Sequence, residues 1–380
     1  MNLKDNFVKV NNKKILIWIC ITMKKLCVIF GGVSSEHDIS IITALQLTKN
    51  IKDEFDVEKI YFGLDGKFYL ATKVDGVEYF ENKDNLKLKE IYFFNNALFY
   101  KGVINKKICD IDCVINCCHG GVGENGDLSA FFSVLGIRYT NANCLASHIA
   151  MDKNLCKRLV CKIVPTIKGY KVTKSNFEKL TNVIDKKFSN NIIVKPNSLG
   201  SSIGVKVCNK EDYKNQVKAV FEMFDDALVE EQIVNLTEYN QACFKTEQGL
   251  VLSAIENPIT KSGYLTFDDK YKNQTKTKGA DRIIPAQISA ELEEQIIDYT
   301  SKIYKALNMN GVVRIDYIFD LKNNKLYFNE INTIPGSMAF YLYEPVGIDY
   351  ISLVKQLMEN ATKPQQFKYF DTNILHNKKI

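Results

Sequence analysis

"VVRIDYIFDLKNNKLYFNEINTIPGSMAFY", residues 312 to 341, reads as two strands joined by a short polar turn and stopped at Pro335-Gly336. Side chains of an extended chain alternate between the two faces of a sheet. Arg314 and Asp316 therefore share one face of the first strand, and Val313, Ile315, Tyr317 and Phe319 form the other. On the second strand Phe328, Glu330 and Asn332 are expected to point the same way. Alternation of this kind is often the wet side of an antiparallel sheet. Here two neighbouring strands offer Asp316, Glu330 and Asn332 together, and such oxygen donors, with phosphate oxygens and water, complete the octahedron that Mg²⁺ demands. A metal-nucleotide site is the better reading of the pair.

The phosphate side of that site is expected in "IIVKPNSLGSSIGVKV", residues 192 to 207. Lys195 closes a strand, Pro196 ends its ladder, and the residues from Leu199 to Gly204 bring glycines and hydroxyls whose backbone N–H groups can approach phosphate oxygens. No G-x-x-x-x-G-K-[ST] is present, so the loop is not a Walker A loop, and taken alone it reads equally as a small-residue hairpin without a ligand.

Around these segments, apolar strands alternate with helical patterns, the signature of α/β layering. Residues 24 to 30 form a strand, "SIITALQLTKNI" a helix, "VEKIYFGL" a strand, and Cys109 to Cys118 a buried strand, which together predict a doubly wound first domain. "LASHIAMDKNLCKRLV" turns helical, and helices are expected near 211 to 224 and from Ala290 to Leu307. Domain boundaries are placed near 145 and 228, giving units over 23–145, 146–228 and 229–380.

At 380 residues with 46% hydrophobic and 25% charged content, the chain can bury a large core spread over two or three domains. A net charge of +6, scattered singly, argues against a nucleic-acid scaffold and leaves room for a local basic cleft. The eleven cysteines show no framework spacing and read as reduced thiols of a cytoplasmic protein. "KKILIWICIT", residues 13 to 22, follows basic residues like a weak signal sequence but is too short to span a bilayer, and no small-residue cleavage site follows it. "MKKLCVIFGG" restarts at Met23 as an α/β domain opens, so residues 1 to 22 are expected to be a dispensable extension, with no membrane partner.

The order "FGGVSSEHDIS", "CHGGVGENGDLSAFFSVLGIRYT", "LASHIAMDK", "VKPNSLGSSIGV", "LVEEQI", "RIDYIF" and "NEINTIPGS" resembles the D-alanine:D-alanine ligase family of ATP-grasp enzymes, from Met23 to about Leu357. The resemblance implies an α/β ATP-grasp fold in which two α+β subdomains sandwich ATP behind the N-terminal doubly wound domain. It implies ATP and two Mg²⁺ ions, with Mn²⁺ an admissible substitute, and ligation of two D-alanines through an acyl phosphate for peptidoglycan precursors. Lys153 and Lys195 resemble the lysines on ATP phosphates, and Gly200, Ser201 and Ser202 the phosphate-covering loop. Glu230 and Glu231 fall at the adenine hinge and Glu238 at the ribose; Asp316, Glu330 and Asn332 match the metal ligands, and Arg314 the arginine facing the oxyanion. Glu36 resembles the carboxylate that meets the first ammonium, with a helix-capping role for Ser34 or Glu36 compatible, and His119 and Gly336 lie by the substrate.

"TFDDKYKNQTKTKGADR", residues 266 to 282, resembles the closing lid, with Lys270 and Tyr271 its contact pair, although a further family tyrosine is missing before them. Asn125 replaces the usual acid in "GENG" as a turn substitution. Tyr341 stands where most of the family has a serine that holds the second carboxylate; it reads equally as a site residue or as core filling. A ligase with another acceptor, such as D-serine, and a non-catalytic nucleotide-binding protein are the alternatives, and a homodimer is left open.

Overall fold

The structure, a computed structural model, describes residues 4–10, 13–19, 23–82, 86–200, 203–259 and 282–364. Ser201, Ser202, Lys270 and Tyr271 lie outside the described residues.

Lys4–Val10 (β1) and Lys13–Ile19 (β2) form an antiparallel two-stranded sheet of their own. The main chain path then enters Lys25–Gly31 (β3), helix His37–Ile51 (α1) and Asp56–Phe62 (β4). Phe68–Leu70 (β5), Lys89–Phe94 (β6), Ala97–Tyr100 (β7) and Lys106–Asp110 (β8) follow, then Cys113–Asn116 (β9). Their seven-stranded sheet runs β8-β7-β6-β5-β4-β3-β9. The parallel, wound part is β4, β3 and β9, and β5 to β8 extend it as an antiparallel meander.

The apolar run from Cys109 to Cys118 is thus not one buried strand. It breaks at Ile111 and Asp112, whose N–H groups donate to Asn96 O (2.8 Å) and Lys25 O (3.0 Å). β8 pairs with β7 and is largely exposed, whereas β9 pairs with β3 and is buried throughout. A uniformly apolar segment carries no periodic mark of such a bend, so the two strands look like one.

After β9 come the short helices Gly121–Glu124 (α2) and Asp127–Val134 (α3), then Cys144–Met151 (α4) and Lys153–Val160 (α5). The last two are separated at Asp152, whose side chain caps α5 by accepting from Leu155 N at 2.9 Å. The second sheet consists of Gly169–Thr173 (β10), Ile192–Pro196 (β11), Lys206–Cys208 (β12) and Asp226–Glu231 (β13), ordered β10-β13-β11-β12 and antiparallel. Helices Phe177–Lys187 (α6) and Tyr213–Phe221 (α7) contribute Ile184, Tyr213 and Val217 to its core. β13 is an inner strand here, so a boundary at 228 would cut it in two.

The third sheet is Leu236–Thr246 (β14), Gly249–Pro258 (β15), Arg282–Ile283 (β16), Val313–Asp320 (β17) and Lys325–Asn332 (β18), ordered β16-β15-β14-β17-β18 and antiparallel throughout. Helix Ala290–Ala306 (α8) buries Ile296, Thr300, Ile303 and Tyr304 against it, the spacing of one helical face. Phe340–Tyr343 (α9) and Tyr350–Glu359 (α10) return to the first sheet: Leu342, Leu353 and Val354 share a core with Leu26, Val28 and Phe30. The N- and C-terminal units are therefore bound through one apolar cluster.

Because β1 and β2 pair with each other in a separate sheet, a chain starting at Met23 is expected to unfold at the same temperature as the full chain, within about 2 °C. A drop of more than about 5 °C in a thermal melt would show that residues 1 to 22 support the domain.

Candidate active site

The third sheet aligns its polar residues by register. Glu256 on β15 is opposite Asn240 on β14, Asn240 is opposite Asp316 on β17, and Asp316 is opposite Glu330 on β18. One step along, Arg314 faces Asn332. Cross-strand neighbours have Cβ atoms about 5 Å apart, so the row places carboxylates and amides side by side across four strands. Phe328, expected on this face, is on the other. The register shifts between Asp316 and Tyr317, leaving Asn329 as an extra residue on β18, so Phe328 pairs with Tyr317 and is fully buried among Ile315, Tyr317 and Ile331. The N–H of Phe328 donates instead to Pro165 O at 2.9 Å.

Arg314 and Asp316 form a bidentate pair, Nε to Oδ1 at 2.7 Å and Nη2 to Oδ2 at 2.8 Å, and Asn332 Nδ2 donates to Asp316 Oδ2 at 3.0 Å. Burial alone would lower the guanidinium's pKa, but the Asp316 charge and hydrogen bonds outweigh it and hold the pKa well above its ordinary value. Lys153 Nζ stands 3.5 Å from Glu330 Oε2 and donates to Leu199 O at 2.8 Å, linking β18 to the small-residue loop.

A second buried cluster lies behind it. Glu230 ion-pairs with Lys195 at 2.6 Å and with Lys157. Burial opposes ionisation of Glu230, yet the two lysines keep its pKa below the ordinary range, while burial brings Lys157 down to about 8. Two ammonium groups on one carboxylate leave an excess positive charge, the polarity a phosphate chain requires. Lys157 is a further residue of this cluster, and its one sequence signal is that it lies one helical turn after Lys153.

The cavity in front of Arg314 encloses about 370 Å³ and brings together Glu36, His119, Gly200, Asn332, Gly336 and Tyr341. Helix α1 supplies polar groups to it: Glu36 at its start, then Thr43 and Gln46, at helical spacing. Ser34 Oγ accepts from Glu36 N at 3.1 Å, and the Glu36 side chain makes no capping bond, so its carboxylate is turned to the cavity. It lies between two glycines: a Cβ on Gly120 or Gly200 would come within 2.8 or 2.9 Å of Glu36 Oε2. His119 contacts Thr43 Oγ1 through Nε2 at 3.1 Å, and burial lowers its pKa to about 4, so the ring is neutral in ordinary buffers. His37, the other motif histidine, is structural, contacting Gly32 O and Tyr61 Oη.

Glu124 of "GENG" is a further site residue that the motif alone does not mark. Its carboxylate accepts from Gly120 N (2.9 Å), Thr333 N (3.1 Å) and Ile334 N (3.1 Å), tying α2 to the end of β18. Burial first, and the charge of Glu36 second, push its pKa up to about 7. Asn125 makes the expected local turn, accepting from Asp127 N at 2.9 Å. After Gly336, Ser337, Met338 and Ala339 all take left-handed φ of 50° to 53°. Such backbone is costly for residues with a Cβ and is held here by Ser337 Oγ donating to Gln46 Oε1 at 2.7 Å and by burial of Met338 and Ala339. A Cβ on Gly336 would meet no atom within 4 Å, so its backbone opens onto the cavity. Glu231 and Glu238 are outside this cavity's lining: Glu231 Oε1 accepts from Ser189 N at 3.3 Å, and Glu238 sits opposite Ile318 on β14.

Two family profiles, D-ala D-ala ligase N-terminus and D-ala D-ala ligase C-terminus, match residues 25–142 and 163–359. The chain belongs to the D-alanine:D-alanine ligase family. It is 31% identical to a D-alanine--D-alanine ligase of Thermosipho melanesiensis over 93% of this chain and 98% of that one. It is 32% identical to one of Campylobacter jejuni, over 93% and 97%. Among solved structures it is similar to the ligase from Helicobacter pylori, with TM-score 0.75, 29% identity and coverage of 90% and 99%. The VanG D-Ala:D-Ser ligase from Enterococcus faecalis gives TM-score 0.75, 26% identity and coverage of 89% and 99%. The ATP-grasp architecture, with its mixed first sheet and antiparallel later sheets, agrees with these neighbours.

Members of this ligase family depend on ATP and Mg²⁺, and the donor set here fits: Asp316, Glu330 and Asn332 offer hard oxygen ligands on adjacent strands.

A buried histidine held neutral gives a signed prediction. His119 contributes stability that is fully present above its ordinary pKa of 6.5 and lost as pH falls toward its folded value of about 4. The stability of the protein relative to His119→Gln is expected to fall by about 3 kcal/mol between pH 7.5 and 4 in urea titrations. A difference independent of pH would show that the imidazole is solvated.

Proposed function

We propose that the chain joins two D-alanines into D-alanyl-D-alanine, with ATP converted to ADP and phosphate, for peptidoglycan precursor synthesis in the cytoplasm. The observation that carries this reading is the register-aligned row of Asp316, Glu330, Arg314 and Asn332, of which Arg314 and Asn332 line the same cavity as Glu36 and His119. The ten described cysteines are free, as a reducing compartment requires, and no helix among the described residues is long and apolar enough to cross a membrane.

The chemistry assigned to each group follows from charge. A carboxylate is a poor electrophile, so the first D-alanine takes the terminal phosphoryl group on its carboxylate oxygen. Its ammonium meets Glu36, whose setting between Gly120 and Gly200 fixes the distance from the substrate. Lys153 and Lys195 hold phosphate oxygens, with Glu230 and Lys157 fixing Lys195 from behind. Mg²⁺ on Asp316, Glu330 and Asn332 supplies neutralisation of phosphate charge when bound. The second amine then attacks the carbonyl carbon, and phosphate leaves as the C–O bond breaks. Arg314, kept cationic and oriented by Asp316, faces the tetrahedral oxyanion together with the open backbone of Gly336. Ser201, Tyr271 and Lys270 are proposed to complete the closed site around the acyl phosphate, and Glu230, Glu231 and Glu238 to frame the nucleotide. Water must be excluded from so easily hydrolysed an intermediate.

Asp316 also balances a mostly buried guanidinium, so Asp316→Ala would leave that charge unpaired and cost about 3–5 kcal/mol. The informative variants are therefore Asp316→Glu, which keeps the charge but displaces the donor oxygens, and Glu330→Gln. Each is expected to lower kcat at least about 100-fold with a melting temperature within a few degrees of the unaltered protein. Near-normal turnover in either variant would remove these residues from the metal site.

A further inference from the structure

The lining of the cavity also holds three groups to which no contact role has been given so far: Glu256, Arg282 and, in place of a serine, Tyr341. Glu256 is buried and fixed by Asn240 Nδ2 at 3.1 Å and by the Tyr341 hydroxyl, which donates to Oε2 at 3.3 Å. Arg282 Nη1 meets the other oxygen, Oε1, at 3.2 Å, and its guanidinium lies over the Tyr341 ring, 4.7 Å from the centroid. The ring and the carboxylate together fix the plane of the guanidinium at the mouth of the cavity.

Charge then assigns a role. Glu36, Glu124 and Glu256 line this space, and its described cations are Arg314 and Arg282. Arg314 already gives two donors to Asp316. The acceptor must attack as a neutral amine, so its carboxylate carries the whole of its charge into a cavity rich in carboxylates. A guanidinium has five N–H donors, and one Nη1 contact does not exhaust them. The Tyr341 hydroxyl is spent on Glu256, so the ring serves as the platform and not as the anion receptor.

We infer that Arg282, oriented by Glu256 and the face of Tyr341, receives the carboxylate of the second amino acid and so selects acceptors with a free α-carboxylate. This rests on the ligase reading above. Glu256 and Tyr341 are positioning residues, and Arg282 is the group in contact with substrate.

The test is a competition. D-Alanine and D-alaninamide are supplied together with ATP and Mg²⁺, and the ratio of D-alanyl-D-alanine to D-alanyl-D-alaninamide is measured by mass spectrometry. The amide lacks the charge but has the same size, so the ratio reads acceptor selection directly. Arg282→Gln is expected to shift the ratio toward the amide by about ten- to a hundred-fold, the value of a charge-assisted contact. Arg282→Lys, which keeps the charge but loses the planar fork stacked on Tyr341, is expected to fall between Arg282→Gln and the unaltered protein, shifting the ratio by about three- to ten-fold. A lower total turnover of Arg282→Gln at an unchanged ratio would overturn the inference and make Arg282 a structural clamp on β15 and β16. Absence of any ligation product from the unaltered chain would overturn the ligase reading and this inference with it.

Discussion

The pair formed by Arg314 and Asp316 governs the rest of the site. Two residues apart on β17, they lie on one face, and their two hydrogen bonds lock a guanidinium in a plane at the back of the cavity. The same carboxylate takes Asn332 Nδ2 from β18, so one group aligns two strands as well as a charge. Shifting β18 by one residue would turn Glu330 and Asn332 away from it. The bulge at Asn329 reconciles the polar register with the core, because Phe328 and Ile331 can both be buried while Glu330 stays beside Asp316.

Around that pair, opposite charges are placed so that no buried ion is left alone while the site as a whole is not neutral. Glu230 is shared by Lys157 and Lys195, an arrangement with positive excess on the phosphate side. Glu124, with an elevated pKa, spends its oxygens on backbone N–H groups of Gly120, Thr333 and Ile334, and it holds the first unit to the third at the cavity floor. The strained run Ser337–Ala339 passes the same floor and is latched to Gln46 of α1. Rigidity here comes from the joint between units, where the shared core of Leu26, Leu342 and Leu353 makes independent movement of those faces costly.

What could be read in the sequence was local. Arg314, Asp316, Glu330 and Asn332 are legible because alternation along a strand is a property of consecutive residues. Glu36 and His119 were marked by their motifs and do meet at the cavity. Glu256 and Asn240 were not legible, because their meeting depends on the pairing of β14 with β15 and β17, a non-local register. The bulge escaped for the same reason: the N–H freed by it is satisfied by Pro165, far away in the chain. Lys157 carries a visible signal in its helical spacing from Lys153, and Glu124 lies in "GENG" beside Asn125, where its neighbours in the chain give no sign of the backbone N–H groups it meets.

The central claim is that this buried row activates a carboxylate by phosphorylating it. It is tested most directly by supplying D-alanine labelled with oxygen-18 in its carboxylate, with ATP and Mg²⁺, and analysing the released phosphate. Transfer of one labelled oxygen into phosphate for each dipeptide formed is the predicted result, because the C–O bond of an acyl phosphate breaks when the second amine attacks. Unlabelled phosphate accompanying dipeptide formation would contradict the account.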